Sequence, residues 1–256
     1  MSNRVLPLLL LACLAAGTAR AADDPMLGQW KLNPQKSRLV DEMKVASLGG
    51  NKYSFDFGGP SPETITLDGA DQPGLAGTTL AVTLTPDHWT VVRKKDGRIL
   101  LKAIWTLSKD GNQLHDNYTQ FGDNGTSTHV DYLYDRKGDG QGFAGDWLST
   151  TQQIETAYVV EVRPYQGDGL SIVASSEGVT KNVKFDGRDY PNPGSRVGRT
   201  ASARRVNERT IELTDKIGAR IVDTEQISVS EDGRILTMTV HVPKHTEPDI
   251  LVFDKK

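Results

Sequence analysis

The chain has 256 residues, with 30 Lys and Arg against 33 Asp and Glu, a formal net charge of −3 and a single cysteine, Cys13. Both signs of charge are scattered. No basic stripe or Arg/Lys cluster interleaved with aromatics is present, so nucleic acid is not an expected partner. One cysteine excludes an intrachain disulfide framework and cysteine-ligated zinc.

The first segment reads as a secretory signal peptide over residues 1–21. Arg4 supplies the positive end, residues 5–16 are almost wholly apolar, and Ala19-Arg20-Ala21 places small residues at a cleavage site before Ala22. A dozen apolar residues fall short of the roughly 20 needed to span a bilayer, and no later segment comes close, so no membrane-spanning segment is expected. Leu10-Leu11-Ala12-Cys13 is the competing signal, a loose lipobox that would make Cys13 a lipid anchor. Simple cleavage accounts for the downstream Ala-x-Ala site and the full apolar run. The mature chain then carries 28 basic and 33 acidic residues and no cysteine, and its expected location is periplasmic or secreted.

Past the signal, runs of five to ten residues rich in Val, Ile, Thr, Leu and aromatics alternate with Gly, Asp and Asn. Residues 38–48 are the single candidate for a short helix, with Gly49-Gly50 ending it. In 78–85, Leu80, Val82 and Leu84 share one face and Thr79, Thr83 and Thr85 the other, and 210–214 and 236–242 alternate in the same way. A period of 2 with β-branched enrichment predicts half-buried antiparallel strands. Asp96-Gly97, Asp110-Gly111 and Asp232-Gly233 each sit between two such runs, which suits the type I′ hairpin turn. About eight strands are expected on each side of residue 140. The polar, glycine-rich segment 137–142 reads as a linker; it lacks the alternate carboxylates of a calcium loop. It would divide a first unit, 22–136, from a second, 143–256.

Landmarks repeat across that segment. Gly28-Gln29-Trp30 is matched by Gly145-Asp146-Trp147, and Asp-Gly pairs follow these tryptophans by 80 and 85 residues. Tyr134-Asp135-Arg136-Lys137 is matched by Phe253-Asp254-Lys255-Lys256. The same order at similar spacing points to an internal duplication. A Gly-x-Trp opening ahead of a run of hairpins resembles the lipocalin-like, calycin-type barrels. Residues 24–33 with Lys36-Ser37, then 185–191, 205–212 and 229–233, also look like a group of small exported bacterial proteins of uncharacterised function. The resemblance implies an all-β protein of two tandem lipocalin-like antiparallel barrels of about eight strands each, the Trp closing the base of each barrel. It implies no catalytic residues. As residues, Trp30 and Trp147 read as large apolar anchors of two cores, with ligand stacking as the alternative.

The sequence contains no G-x-S-x-G elbow, H-E-x-x-H helix, Walker-type loop or dinucleotide fingerprint, so no cofactor is expected. His241, His245 and Glu247 flank Pro243, which prevents a helical zinc-ligand spacing, and no metal is expected there. The densest reactive segment is 114–134, with Asn124-Gly125 as the turn. A loop of two or four residues would put Asp116, Tyr118, Gln120, His129 and Asp131 on one face, and His115, Asn117, Phe121, Val130, Tyr132 and Tyr134 on the other. Tyr118, His129, Asp131 and Asp116 are the candidate catalytic residues if that first face lines a pocket, although the aromatic second face is the better candidate for the core. The leading expectation is a binding protein for a small apolar or amphipathic ligand in a barrel. The rivals are a cofactor-independent hydrolase, lyase or isomerase using the four residues above, and a structural or adhesion module of the cell envelope. Nothing in the sequence sets the oligomeric state.

Overall fold

The computed structural model describes residues 24–59, 61–122, 125–195 and 197–256. The expected signal peptide, the cleavage before Ala22 and Cys13 lie outside the described residues. The first ten strands are β1 (Gly28–Leu32), β2 (Glu42–Ser47), β3 (Lys52–Asp56), β4 (Glu63–Thr66), β5 (Gln72–Pro73), β6 (Thr79–Leu84), β7 (Trp89–Lys95), β8 (Arg98–Leu107), β9 (Gln113–Phe121) and β10 (Ser127–Gln141). The next ten are β11 (Ala144–Thr156), β12 (Val159–Tyr165), β13 (Gly169–Ala174), β14 (Val179–Val183), β15 (Tyr190–Pro191), β16 (Arg199–Asn207), β17 (Thr210–Ile217), β18 (Arg220–Val229), β19 (Ile235–His241) and β20 (Asp249–Lys255). They form two antiparallel, nearly closed, barrel-like sheets of ten strands each. The expected count of about eight per half is two short in each; the two-residue strands β5 and β15, one in each sheet, are too short to leave a periodic signal.

Alternation explains the two cores. In β17, Ile211 and Leu213 point inward, and in β6, Leu80 and Val82 do so, while Leu84 at the strand end is exposed. Each such side chain contributes about 1.5–3 kcal/mol on burial. One core gathers Phe55, Ile65, Val82, Trp89, Trp105, Leu114 and Tyr134; the other gathers Leu32, Val160, Leu170, Val183, Ile211, Leu213 and Phe253. The segment expected as a helix, 38–48, instead holds β2 and, at Arg38, an isolated bridge to Ile250. Met43 and Val45 are buried while Lys44 and Ala46 are exposed, a period of 2 that outweighs the helix-forming composition.

Sheet order departs from chain order at one strand in each barrel. The first sheet runs β4-β3-β2-β11-β10-β9-β8-β7-β6-β5, and the second β14-β13-β12-β1-β20-β19-β18-β17-β16-β15. Advancing every label of the first by ten reproduces the second, except that β1 and β11 have changed places. Trp30 on β1 therefore packs in the second core and Trp147 on β11 in the first. Each indole N–H donates to the carbonyl four residues earlier, Met26 at 2.9 Å and Phe143 at 3.0 Å. A cation covers each ring, Lys255 for Trp30 and Arg136 for Trp147.

The exchange follows from residues 137–142, which are not a linker. Residues 137–141 continue β10, and Gln141 pairs with Ala144 across a tight turn into β11. A short turn pairs its two flanking strands, so β11 takes the place beside β10 and leaves β1 to the other sheet. The glycines there make room for a side chain. A Cβ at Gly140 or Gly145 would lie 2.3 or 2.4 Å from Arg136 Nη1. That guanidinium donates to the carbonyls of Gly111, Gly142 and Ala144 while stacking on Trp147.

Turn chemistry is also more varied than expected. Asp96 (φ 49°) and Gly97 (φ 77°) fit the type I′ turn, whereas of the pairs 110–111 and 232–233 only the glycines have positive φ. Those two turns match each other. Ser108 Oγ and Ser230 Oγ donate to Asp110 Oδ1 and Asp232 Oδ1, each at 2.6 Å, and accept the amides of Gln113 and Ile235.

Candidate functional site

The 114–134 hairpin pairs Tyr118 with Val130, Asp116 with Tyr132 and Leu114 with Tyr134. Gly122 N donates to Thr126 O, so the tip is three residues, 123–125, and not two or four. An odd tip shifts the register by one and turns every side chain of the second strand to the other face. Asp116 and Tyr118 point into the first barrel with Tyr132 and Tyr134. His129 and Asp131 point outward, beside His115, Asn117 and Thr119. The four candidate catalytic residues are therefore split across the sheet. On the outer face Asn117 Nδ2 donates to Asp131 Oδ1 at 2.8 Å, Thr119 Oγ1 hydrogen-bonds His129 Nδ1 at 3.1 Å, and His129 Nε2 lies 3.6 Å from Asp131 Oδ2. This is a partly exposed surface network.

The inner pair borders a cavity of about 250 Å³ with Asp41, Arg93 and Trp105. Asp116 is 5 % exposed, and neither its Oδ1 nor the neighbouring Trp105 indole N–H has a hydrogen-bond partner. Burial first, and the Asp41 charge second, push its pKa well above the usual carboxylate range. Asp41 accepts a 2.5 Å bond from the Tyr134 hydroxyl. Glu63 grips Arg93 in a two-pronged ion pair.

A cavity of about 440 Å³ opens into the second barrel, with residues of the first barrel at its rim. Val160, Ile172, Ala174, Met238 and Leu251 form apolar walls, because their strands keep the inward parity set by the core. At the mouth sits the 121–127 hairpin of the first barrel. A Cβ at Gly122 would lie 1.7 Å from the Ser176 carbonyl, so only glycine lets the hairpin dock this closely, and Thr126 Oγ1 donates to the same oxygen at 2.8 Å.

Glu177, Lys181, Asn192, Arg199 and Glu225 line another part of the cavity wall, and the buried Asp215 and Asp223 contact Lys181 and Arg199. Asp215 and Asp223 face each other across β17 and β18, and Glu225 follows two residues on. Lys181 Nζ lies between Asp215, at 2.5 Å, and Glu225. Asn192 Nδ2 donates to Asp215 Oδ1 at 3.0 Å, and Arg199 Nη1 to Asp223 Oδ2 at 3.1 Å. Burial opposes the Lys181 charge, but the carboxylates of Glu225 and Asp215 overcome it and raise its pKa. Asp223 is pushed up to about 7 by burial and by the Glu225 charge, while Asp215 is held below its ordinary value by Lys181 in spite of its burial. Asp215, Asp223 and Glu225 have carboxylate spacing that suits a metal ion, yet the Lys181 ammonium takes the place between two of them. His241, His245 and Glu247 form no such group among the described residues.

Sequence reasoning missed this cluster, although a signal was present. Asp215 continues the inward series Ile211, Leu213, and Glu225 and Asp223 continue Val229, Ile227. An acid in phase with an apolar alternation marks a buried charge.

The Asp223 shift has a measurable consequence. Its neutral form contributes stability that is fully present below its ordinary value of 3.8 and is lost as pH rises to about 7. The slope reaches at most about 1.4 kcal/mol per pH unit. Asp223→Asn is expected to flatten this fall between pH 4 and 7 in denaturant titrations. An unchanged slope would show that the group titrates normally.

Among the described residues no helix is long and apolar enough to cross a membrane. The chain matches no protein-family model, no curated protein and no solved structure.

Proposed function

We propose that this is an exported, lipocalin-like binding protein, built by internal duplication, that holds one apolar or amphipathic small molecule in the second barrel. The observation that carries this reading is the cavity of about 440 Å³, with apolar walls, a charged stretch and an opening beside the 121–127 hairpin. Its volume falls in the range of small-molecule sites, and its combination of apolar wall with a few convergent polar groups is the usual composition of one. Barrels of this size hold a ligand at the mouth. Export rests on Arg4, the apolar run 5–16 and Ala19-Arg20-Ala21. The duplication is supported by the matching strand order and by the paired Trp30 and Trp147 environments. Proton-transfer catalysis by Tyr118, His129, Asp131 and Asp116 as one unit finds no support, because the sheet lies between the pairs.

The test is fluorescence of N-phenyl-1-naphthylamine, a neutral apolar probe. One molecule is expected to bind per chain with enhanced emission. Ala174→Phe, which fills the cavity from its wall, is expected to weaken binding at least about tenfold while the circular dichroism stays that of the parent. Met238→Trp fills the same space from β19, in case the first variant folds poorly. Binding that neither substitution alters places the probe elsewhere and defeats the reading.

A further inference from the structure

The charged stretch of this cavity wall is short of donors. Asn192 is 4 % exposed and Glu225 is 7 % exposed, both line the cavity, and Asn192 Oδ1 and Glu225 Oε2 have no hydrogen-bond partner. The orientation of the Asn192 amide is not arbitrary. Its nitrogen must face Asp215, since turning it over would press its oxygen against a carboxylate. A buried acceptor without a partner costs about 1–3 kcal/mol, and more when charged. Two of them on the wall of one cavity define what an occupant has to bring.

We infer that the cavity selects a ligand with an alkylammonium end, a positively charged hydrogen-bond donor on an apolar body. This rests on the reading of the second barrel as the binding site. Among the described residues, Lys181 and Arg199 stand against Asp215, Asp223, Glu225 and Glu177. Both cations already serve internal partners, Lys181 with Asp215 and Glu225, Arg199 with Asp223. A ligand carboxylate would find its cations engaged and would approach Glu225 and Glu177. An ammonium brings hydrogens to two acceptors that lack them and sets a positive charge beside Glu225. Lys181 itself shows that this part of the barrel seats an alkylammonium among carboxylates. A bare metal ion would satisfy the acceptors but would leave the apolar walls of Val160, Ile172, Met238 and Leu251 without a partner.

The experiment displaces N-phenyl-1-naphthylamine with decylamine, decanol and decanoate near neutral pH, below their micellar concentrations, and repeats the decylamine and decanol titrations by calorimetry. Decylamine is expected to bind about tenfold or more tightly than decanol, the ratio one charge-assisted hydrogen bond supplies, and decanoate the most weakly. Glu225→Gln is expected to bring decylamine down to the level of decanol and to leave decanol unchanged. Asn192→Leu serves as the second variant should the first fold poorly, with a smaller loss in the same direction. Decanoate binding as tightly as decylamine overturns the inference and leaves the binding site standing. So does a preference for decylamine that survives both substitutions. Manganese ion that competes with decylamine assigns the acidic groups to a metal and also overturns it. If the probe and all three decyl compounds fail to bind, the binding-protein reading falls and the inference with it.

Discussion

Trp30→Ala is expected to destabilise the protein by about 3–5 kcal/mol and to loosen the second barrel, not the first. Trp30 is fully buried and packs in the core with Val160, Leu170 and Phe253, all of the second sheet. Truncation empties an indole-sized space and removes the Nε1 bond to Met26 O and the stacking of Lys255. Hydrogen exchange locates the damage. Amides of β13 and β20 should lose protection while those of β6 and β7 keep theirs. Trp147→Ala should give the reverse pattern, because that indole lies in the first core. Protection lost in the first barrel on Trp30→Ala and in the second on Trp147→Ala would rule out the strand exchange.

Cutting the chain between Gly142 and Phe143, at an inserted protease site, is expected to leave the two pieces in one complex. Each piece carries a strand that the other needs. β11, from the second piece, fills the position between β2 and β10, and β1, from the first, fills the position between β12 and β20. Separation would strip a central strand from each sheet and expose two edges and an opened core in each. Size-exclusion chromatography of the cut protein should therefore show one species of the intact mass, resolving into two only in denaturant. Two separable folded halves would mean that each barrel closes with its own first strand.

The candidate site divides by the range of the interactions that made it. Asp116 and Tyr118 were visible because a dense polar hairpin stands out, but which residues share their face depended on the length of one tip. Asn124-Gly125 marks the turn without counting its residues, and a tip of three instead of two or four moved His129 and Asp131 outside. Lys181, Asn192, Asp215, Asp223 and Glu225 lie on three strands and one loop spread over 45 residues. No local pattern links them. Their only mark is an acid in the inward phase of β17 and β18, which becomes meaningful once the barrel brings Lys181 to it.

What the sequence determined by itself was local. Period-2 alternation in 78–85, 210–214 and 236–242 and the Asp-Gly turns made the chain antiparallel β, because side-chain parity and turn dihedrals depend on residues only a few positions apart. The repeated Gly-x-Trp, Asp-Gly and closing Asp-basic landmarks mark equivalent positions in the two sheets. Pairing between distant strands was decided by the tertiary structure. Trp30 and Trp147 share the Gly-x-Trp opening, and that short motif does not tell either which barrel to enter. The short turn at 142–143 settles it, since pairing β10 with β11 costs little loop entropy and leaves β1 the vacancy in the second sheet. The same assembly turned 137–142 from an apparent spacer into the seat of Arg136, and it gathered Lys181, Asn192 and Glu225 on one cavity wall with Asp215 and Asp223 buried against them.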